Sequence, residues 1–330
     1  MTRPITLAAG QWGDLPLEEL CKIVSRFGLD GLELMCNENM FDVEKAAVSK
    51  TYCDDLHEML EKYHLNMWAV CAALIGQCVG DLYDQRLDNF APQKYAGKPE
   101  EIRAWAIDTM MKIPTACRNY GLNIVTGFLG SPIWKFFYSF PQTTEEMVEE
   151  GFQEIARLWI PILDEFKRKE IQFAFEVHPT EIAYDYYTTQ RLFKTLNNHP
   201  AFGLNFDPSH LIWQGVNPAV FLQDFSSHVF HVHLKDAAVV YDGRTGILGS
   251  HLPFGSTRRA WNFRSLGHGH VNFEEIIRIL NETGYDGPLS IEWEDNGMDR
   301  LFGLEEAVKF ARKINFPASG IEFDSALKNQ

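Results

Sequence analysis

The sequence predicts a single (β/α)8 barrel. Three observations lead there. Eight short apolar runs rich in β-branched and aromatic residues alternate with eight amphipathic helical stretches. Glycine punctuates the helix-to-strand turns, and the long connections all follow strands. Strands alternating with helices imply parallel strands joined by crossovers, and eight such units close a sheet on itself.

In chain order, the expected strands are residues 5–9, 31–35, 66–73, 123–129, 172–177, 203–207, 229–234 and 288–293. The expected helices are 17–27, 52–63, 100–120, 145–168, 188–198, 218–225, 273–283 and 304–314. Helices end at Gly28, Gly121 and Gly284, each just before a strand, where glycine supplies a left-handed cap that turns the chain back. The turns FGLDG at 27–31 and TGYDG at 283–287 are similar, as in a barrel grown from repeated units. Three connections on the strand-to-helix side are long: 74–99 after strand three, 130–144 after strand four and 236–272 after strand seven. In a barrel these lie on the catalytic face, where long loops form lids or binding walls. Two carry aromatics: Trp134, Phe136, Phe137, Tyr138 and Phe140 in one, Phe254, Trp261 and Phe263 in the other. The barrel is expected to occupy 1–316, followed by a frayed tail at 317–330.

The 330 residues are 45% hydrophobic, enough for one large core. The formal charge is -15, from 45 acids against 30 bases. A chain that neutralises nucleic-acid phosphates needs a basic surface, so this balance argues against that class. The six cysteines all precede residue 118 and form no C-x-x-C pair, which suits buried free thiols better than a zinc ribbon or disulfide framework. No signal peptide and no bilayer-length apolar run is visible. The expectation is a cytoplasmic protein with no membrane contact.

The chemistry sits in four segments: FAFEVHP at 173–179, LNFDPSH at 204–210, VFHVHLKD at 229–236 and LSIEWED at 289–295. In each, an apolar strand runs into a carboxylate or imidazole. Such a group is expensive to bury unless paired or ligated. A lone acid at a strand end is often a helix cap. Four on consecutive strands would converge on one side of the barrel mouth. Glu176, Asp207, His233 and Glu292 then form a hard, mostly oxygen site for one divalent ion, Mn2+ foremost, with Mg2+, Co2+ or Zn2+ also suited. Residues two apart on a strand share a face, so His231 and Glu294 compete with His233 and Glu292 for the inward positions. His178 shares a face with Glu176 and could move protons. His210 lies just past the sixth strand, within reach of substrate. Lys235 and Asp236 could pair with each other or, for Lys235, bind substrate. Arg258 and Arg259 offer a phosphate contact.

At these residues the sequence resembles the sugar phosphate isomerase/epimerase superfamily, the xylose isomerase-like TIM barrels, from about residue 5 to 316. The resemblance implies that Glu176, Asp207, His233 and Glu292 hold one ion. It also implies that the two glutamates flank the substrate and that His210 contacts sugar oxygens. GQWGDLP at 10–16, EVHPTEIAYDY at 176–186, GSHL at 249–252, RRAW at 258–261, GHGH at 267–270 and WEDNGMDR at 293–300 are similar to the catalytic large subunits of bacterial C-glycoside deglycosidases. Those act on 3-oxo-glycosides and assemble with a small β-sandwich subunit, which implies a hetero-oligomer here. The superfamily's three-zinc DNA-repair branch carries histidines at the ends of strands two and three, and this chain has none there.

The shared chemical step is removal of a proton from carbon next to a carbonyl, with metal stabilisation of the charge that develops. The resemblance favours β-elimination of an aglycone from a 3-oxo-glucoside. His178 or a ligand glutamate would be the base, His210 or His270 the acid, and Trp134 and other loop aromatics would hold the aglycone. Isomerisation or epimerisation of a sugar or sugar phosphate is the alternative. A sugar-binding barrel without turnover is the third.

Overall fold

A computed structural model describes residues 2–138, 140–322 and 324–327 of the chain. The strands are β1 (Ile5–Ala8), β2 (Gly31–Met35), β3 (Asn66–Cys71), β4 (Ile124–Gly127), β5 (Gln172–Glu176), β6 (Phe202–Phe206), β7 (Val229–Leu234), β8 (Asp236–Val239), β9 (Trp261–Arg264) and β10 (Leu289–Ile291). Eight of them close in the order β1-β10-β7-β6-β5-β4-β3-β2, every pairing parallel, while β8 and β9 form a separate antiparallel hairpin. The expected (β/α)8 barrel is therefore present, and its eighth strand is β10.

Side chains alternate across each strand. One set, including Leu7, Leu32, Leu34, Phe173, Phe175, Leu204, Phe206, Val232, Leu234, Leu289 and Ile291, is fully or almost fully buried in the main apolar core. The alternate set is polar: Thr6, Glu33, Thr126, Asn205, His231, His233 and Ser290, all buried. An interior lined this way departs from the branched aliphatic layers that usually fill such barrels.

The helices follow the sequence with shifts at their ends. The helix expected at 188–198 is α7 (Tyr186–Thr195), and its capping box explains the earlier start. Asp185 caps Thr188 N–H, and the Thr188 hydroxyl returns the bond to Asp185 N–H. The last helix, α11 (Arg300–Ile314), begins four residues earlier than expected, where Asp299 accepts from Phe302 N–H. Gly28, Gly121 and Gly284 all have positive φ, as their capping role requires. The third strand stops at Cys71 because the chain winds directly into α4 (Ala73–Gly80). A Cβ at Gly76 would lie 2.0 Å from the Phe128 carbonyl oxygen, so glycine lets this helix pack onto the β4 connection.

That packing seats the loop after β4. Glu181 Oε2 accepts from Leu129 and Gly130 N–H at 2.8 and 2.7 Å, and Asp81 Oδ1 accepts from Ser131 N–H at 2.7 Å. Trp159 donates to the Leu129 carbonyl. Above this clamp Trp134, Phe137 and Tyr184 pack edge to face, with Tyr138 and Phe140 exposed.

The loop after β7 is held by Asp236, whose carboxylate accepts from the N–H groups of Ala237, Gly267, Gly269 and Val271. The pairing with Lys235, one of the two alternatives the sequence left open, does not occur. Neighbours on an extended chain point to opposite sides, so Asp236 faces the loop backbone and Lys235 faces the barrel mouth. Arg259 is buried and donates to the carbonyls of Gly249, Leu252 and Trp261. Trp261 and Phe263 are packed rather than open, with Trp261 stacked on Trp213 at 4.2 Å and 4°.

All six cysteines are free, five of them buried. Among the described residues no helix is long and apolar enough to cross a membrane. Asn315 and Phe316 tie back to Arg3 and Asn281. Of the expected tail, residues 323 and 328–330 lie outside the described residues, and 317–322 are exposed or nearly so.

Burial raises the Asp81 carboxyl from its ordinary 3.8 to about 6, against hydrogen bonds from Ser131 and Gln77. Burial first, then the neighbouring Asp81, pushes Glu181 up as well. An acid with a raised folded pKa destabilises the fold once it must ionise. Stability tied to Asp81 is therefore full below about pH 4 and falls as pH rises through about 6. An Asp81→Asn variant keeps an acceptor for Ser131 without the charge. It is expected to be more stable than wild type at pH 7.5, with the difference shrinking by about 1–2 kcal/mol at pH 4.5. Urea unfolding of both proteins at the two pH values measures this, and a difference independent of pH would refute it.

Candidate metal centre

Four neighbouring strands deliver the site. Glu176 ends β5, Asp207 follows β6 by one residue, His233 lies near the end of β7 and Glu292 follows β10 by one residue. One ligand atom from each lies within 4.8 Å of all the others. His233 Nδ1 is 3.3 Å from Glu176 Oε2 and 3.2 Å from Glu292 Oε2. Asp207 Oδ1 accepts from Ser209 N–H at 2.8 Å, whereas Oδ2 is buried with no aligned hydrogen-bond donor. Three carboxylates and one imidazole fit a hard divalent cation with some nitrogen affinity.

The same acids draw positive charge from the protein. Burial alone would lower the His233 pKa, but Glu33, Glu176 and Glu292 hold it well above the usual imidazole range. Lys235 is buried, with Nζ 2.7 Å from Glu294, 3.2 Å from Glu292 and 3.9 Å from Asp207, and lies 4.2 Å above the Phe263 ring. His210 Nε2 is 3.0 Å from Glu176 Oε1 and 3.2 Å from Asp207 Oδ2. Burial opposes protonation of His210, yet Asp207 and Glu176 raise it to about 9.

His178 differs. It is half-buried, with its ring 4.1 Å from the His210 ring and 5.1 Å from Phe128. Burial, then the charges of His210 and Lys235, holds it well below the usual range. Two touching imidazoles thus favour opposite protonation states, one neutral and one cationic. That division of labour suits a base and an acid.

The structure brings together Glu176, His178, Asp207, His210, His233, Lys235 and Glu292. Two other expected substrate contacts, Arg258 and His270, are exposed on the loop after β7. Arg259, the neighbour of Arg258, is spent on backbone carbonyls. His270 Nδ1 accepts from Val239 N–H at 3.0 Å, so the ring is tied to the hairpin. Trp134 packs against Phe137 and Tyr184 over the β4 loop.

Sequence reasoning missed two groups, Glu33 and Asn205, and left Glu294 as the unchosen competitor of Glu292. Glu33 on β2 accepts from His231 and His233 Nε2 at 2.9 and 3.0 Å, from Ser290 at 2.9 Å and from Thr126 at 2.5 Å. Its signal was visible, since Glu33 is a charge inside the apolar run GLELM. Asn205 donates to Glu176 Oε2 at 2.8 Å and lies 3.1 Å from His233 Nδ1. Its spacing of two from Asp207 placed it on the same face. Glu294 joins the mouth by pairing with Lys235 and accepting from Gln11 at 2.6 Å. His231 is buried and hydrogen-bonded.

Comparison with known proteins gives the context. Over 308 residues, 90% of this chain and 94% of the relative, the sequence is 22% identical to the uncharacterized protein YfiH of Bacillus subtilis. It is 25% identical to inosose dehydratase of Clostridium beijerinckii over 174 residues, so the match spans about half of each chain, 52% here and 54% there. The fold superposes on 3-keto-D-glucoside 4-epimerase, YcjR, from E. coli with a TM-score of 0.65 at 14% identity, covering 94% of this chain and 99% of that one. It also superposes on the IOLI protein with a bound zinc atom, with a TM-score of 0.59 at 17% identity, covering 94% and 96%. The family profile described as xylose isomerase-like TIM barrel matches residues 21–314, and the chain belongs to that family.

Proposed function

We propose that this chain is a divalent-metal-dependent acid/base enzyme that removes a proton from carbon next to a carbonyl in an uncharged sugar derivative. The observation that carries this is the His178–His210 pair at the lip of the four-ligand cluster. When bound, a divalent ion, Mn2+ in our proposal, would supply Lewis-acid stabilisation of negative charge on a substrate oxygen, worth several kcal/mol.

The residues divide the remaining work. His178, neutral and half-buried, takes the carbon-bound proton. The electron pair of that C–H bond moves towards the carbonyl oxygen. In a 3-oxo-glucoside the proton leaves C2, the returning electrons form the C1–C2 double bond, and the bond from C1 to the aglycone breaks. His210 donates a proton to the departing aglycone. Lys235, fixed between Glu292 and Glu294, holds Glu292 in place and adds positive potential near the reacting oxygens. Trp134, Phe137 and Tyr184 offer flat apolar surface for an aglycone.

C-glycoside deglycosidase chemistry is the specific form we favour, with the small partner subunit as part of that proposal. The inosose relative is a dehydratase, and loss of water is also an elimination. Epimerisation is the second form, favoured by two glutamates, Glu176 and Glu292, that both reach His233 Nδ1. A sugar phosphate suits the site less well, because Lys235 is engaged by acids and Arg259 by carbonyls.

Two results are expected. Metal analysis should find one divalent ion per chain, and Asp207→Asn should weaken it by more than about 100-fold, beyond the roughly 10–100-fold typical of outer hydrogen-bond partners. Incubation of the Mn2+-loaded protein, with its small partner, should release free aglycone from a 3-oxo-C-glucoside. His178→Gln should slow release by about 10²–10⁴-fold while retaining the ion. Deuterium uptake from solvent without aglycone release would select epimerisation. Neither release nor uptake across a panel of keto-sugars would rule out the acid/base assignment.

A further inference from the structure

The geometry points to Glu33 as a positioning residue that fixes His233 as the Nε2–H tautomer and aims Nδ1 into the carboxylate cluster. This rests on the metal reading above.

The two nitrogens of His233 face different partners. Nε2 is 3.0 Å from Glu33 Oε2, inside the barrel. Nδ1 is 3.2 Å from Glu292 Oε2 and 3.3 Å from Glu176 Oε2, at the mouth. An ionised carboxylate only accepts hydrogen bonds, so Glu33 requires a proton on Nε2. A second observation reaches the same tautomer from the other side. Asn205 Nδ2 donates to Glu176 Oε2 at 2.8 Å, which fixes the amide's orientation, and the same NH2 lies 3.1 Å from His233 Nδ1. An NH2 group meets Nδ1 favourably only where Nδ1 carries its lone pair. When a cation enters the cluster, the ring therefore presents Nδ1 and keeps the proton that Glu33 holds.

Glu33 is itself immobilised. Thr126 from β4, His231 from β7 and Ser290 from β10 donate to it, so its carboxylate is braced by three other strands besides its bond from His233. An anion on the far side of the ring also makes Nδ1 more basic, hence a stronger ligand. Ser290 touches Glu33 without touching the cluster, and so separates bracing from positioning.

The test uses the full-length protein, alone and loaded with Zn2+. Long-range 1H–15N spectra of histidine-labelled protein identify the tautomer of His233, and competition with a chelator measures Zn2+ affinity. Loaded with Zn2+, wild type should show Nε2 protonated and Nδ1 shifted by metal; without metal the ring is expected to carry a proton on both nitrogens, because Glu176 and Glu292 face Nδ1. Glu33→Gln should bind Zn2+ about 10–100-fold more weakly. Ser290→Ala should lower thermal stability with less than about a twofold change in affinity. Ligation through Nε2, or a Glu33→Gln variant with wild-type affinity, would overturn the proposal alone. A wild-type protein that takes up no divalent ion would overturn the metal reading as well. The wild-type spectrum decides the tautomer even if the variant does not fold.

Discussion

A carboxylate sealed inside a barrel is tolerable only if each of its oxygens finds a donor. Glu33 meets that condition with four donors on three other strands, and it is 1% exposed. Left unpaired, such an ion would cost several kcal/mol or more. The requirement propagates outward. It excludes aliphatic residues from the positions that face Glu33, sets the rotation of two imidazoles, and so decides which nitrogen of His233 meets the mouth. The polar interior of this barrel follows from that one buried charge.

Above Glu33 the same logic repeats with more acids than bases. Glu176, Asp207, Glu292 and Glu294 crowd the mouth, and the protein answers with Lys235, His210 and His233. His178 escapes because it touches His210 instead of a carboxylate. The contrast between the two rings is thus a matter of neighbours rather than of residue type. Loop backbone is organised by carboxylates too. Asp236 gathers the β7 connection, while Glu181 and Asp81 gather the β4 connection.

Much of this was legible in the sequence because periodicity and charge are local signals. The strand–helix alternation survived almost unchanged, and its errors were end effects, of capping at Asp185 and Asp299 and of the helix that cuts the third strand short at Cys71. Acids at the ends of apolar strands identified the four residues that converge. Glu33 carried the same kind of signal but lay on β2, and nothing local announces which strands face each other across a barrel. Asn205 is neutral and so raised no alarm inside its strand. The hairpin of β8 and β9 was hidden inside a stretch that looked like loop, because its stability comes from Asp236 and from the Trp213–Trp261 stack rather than from its own pattern. His270 and Arg258 show the converse. Residue type suggested chemistry, but both are exposed on the loop after β7, and His270 is tied to Val239 of the hairpin.

The barrel closes by pairing β1 with β10, and Leu289 follows its partner Ile5 by roughly 280 residues. During synthesis at about 5–20 residues per second, the first strand waits on the order of 15–60 s for its neighbour. Through that interval an apolar edge stands open on the ribosome, and Glu33 lacks Ser290 because that residue has not yet been made. Three of its four strands can assemble the buried network early, but the last donor arrives with the closing strand. Glu292 arrives with it. A nascent chain therefore has neither a complete brace nor a complete ligand set until closure, and chaperone demand and metal loading are tied to the same late event.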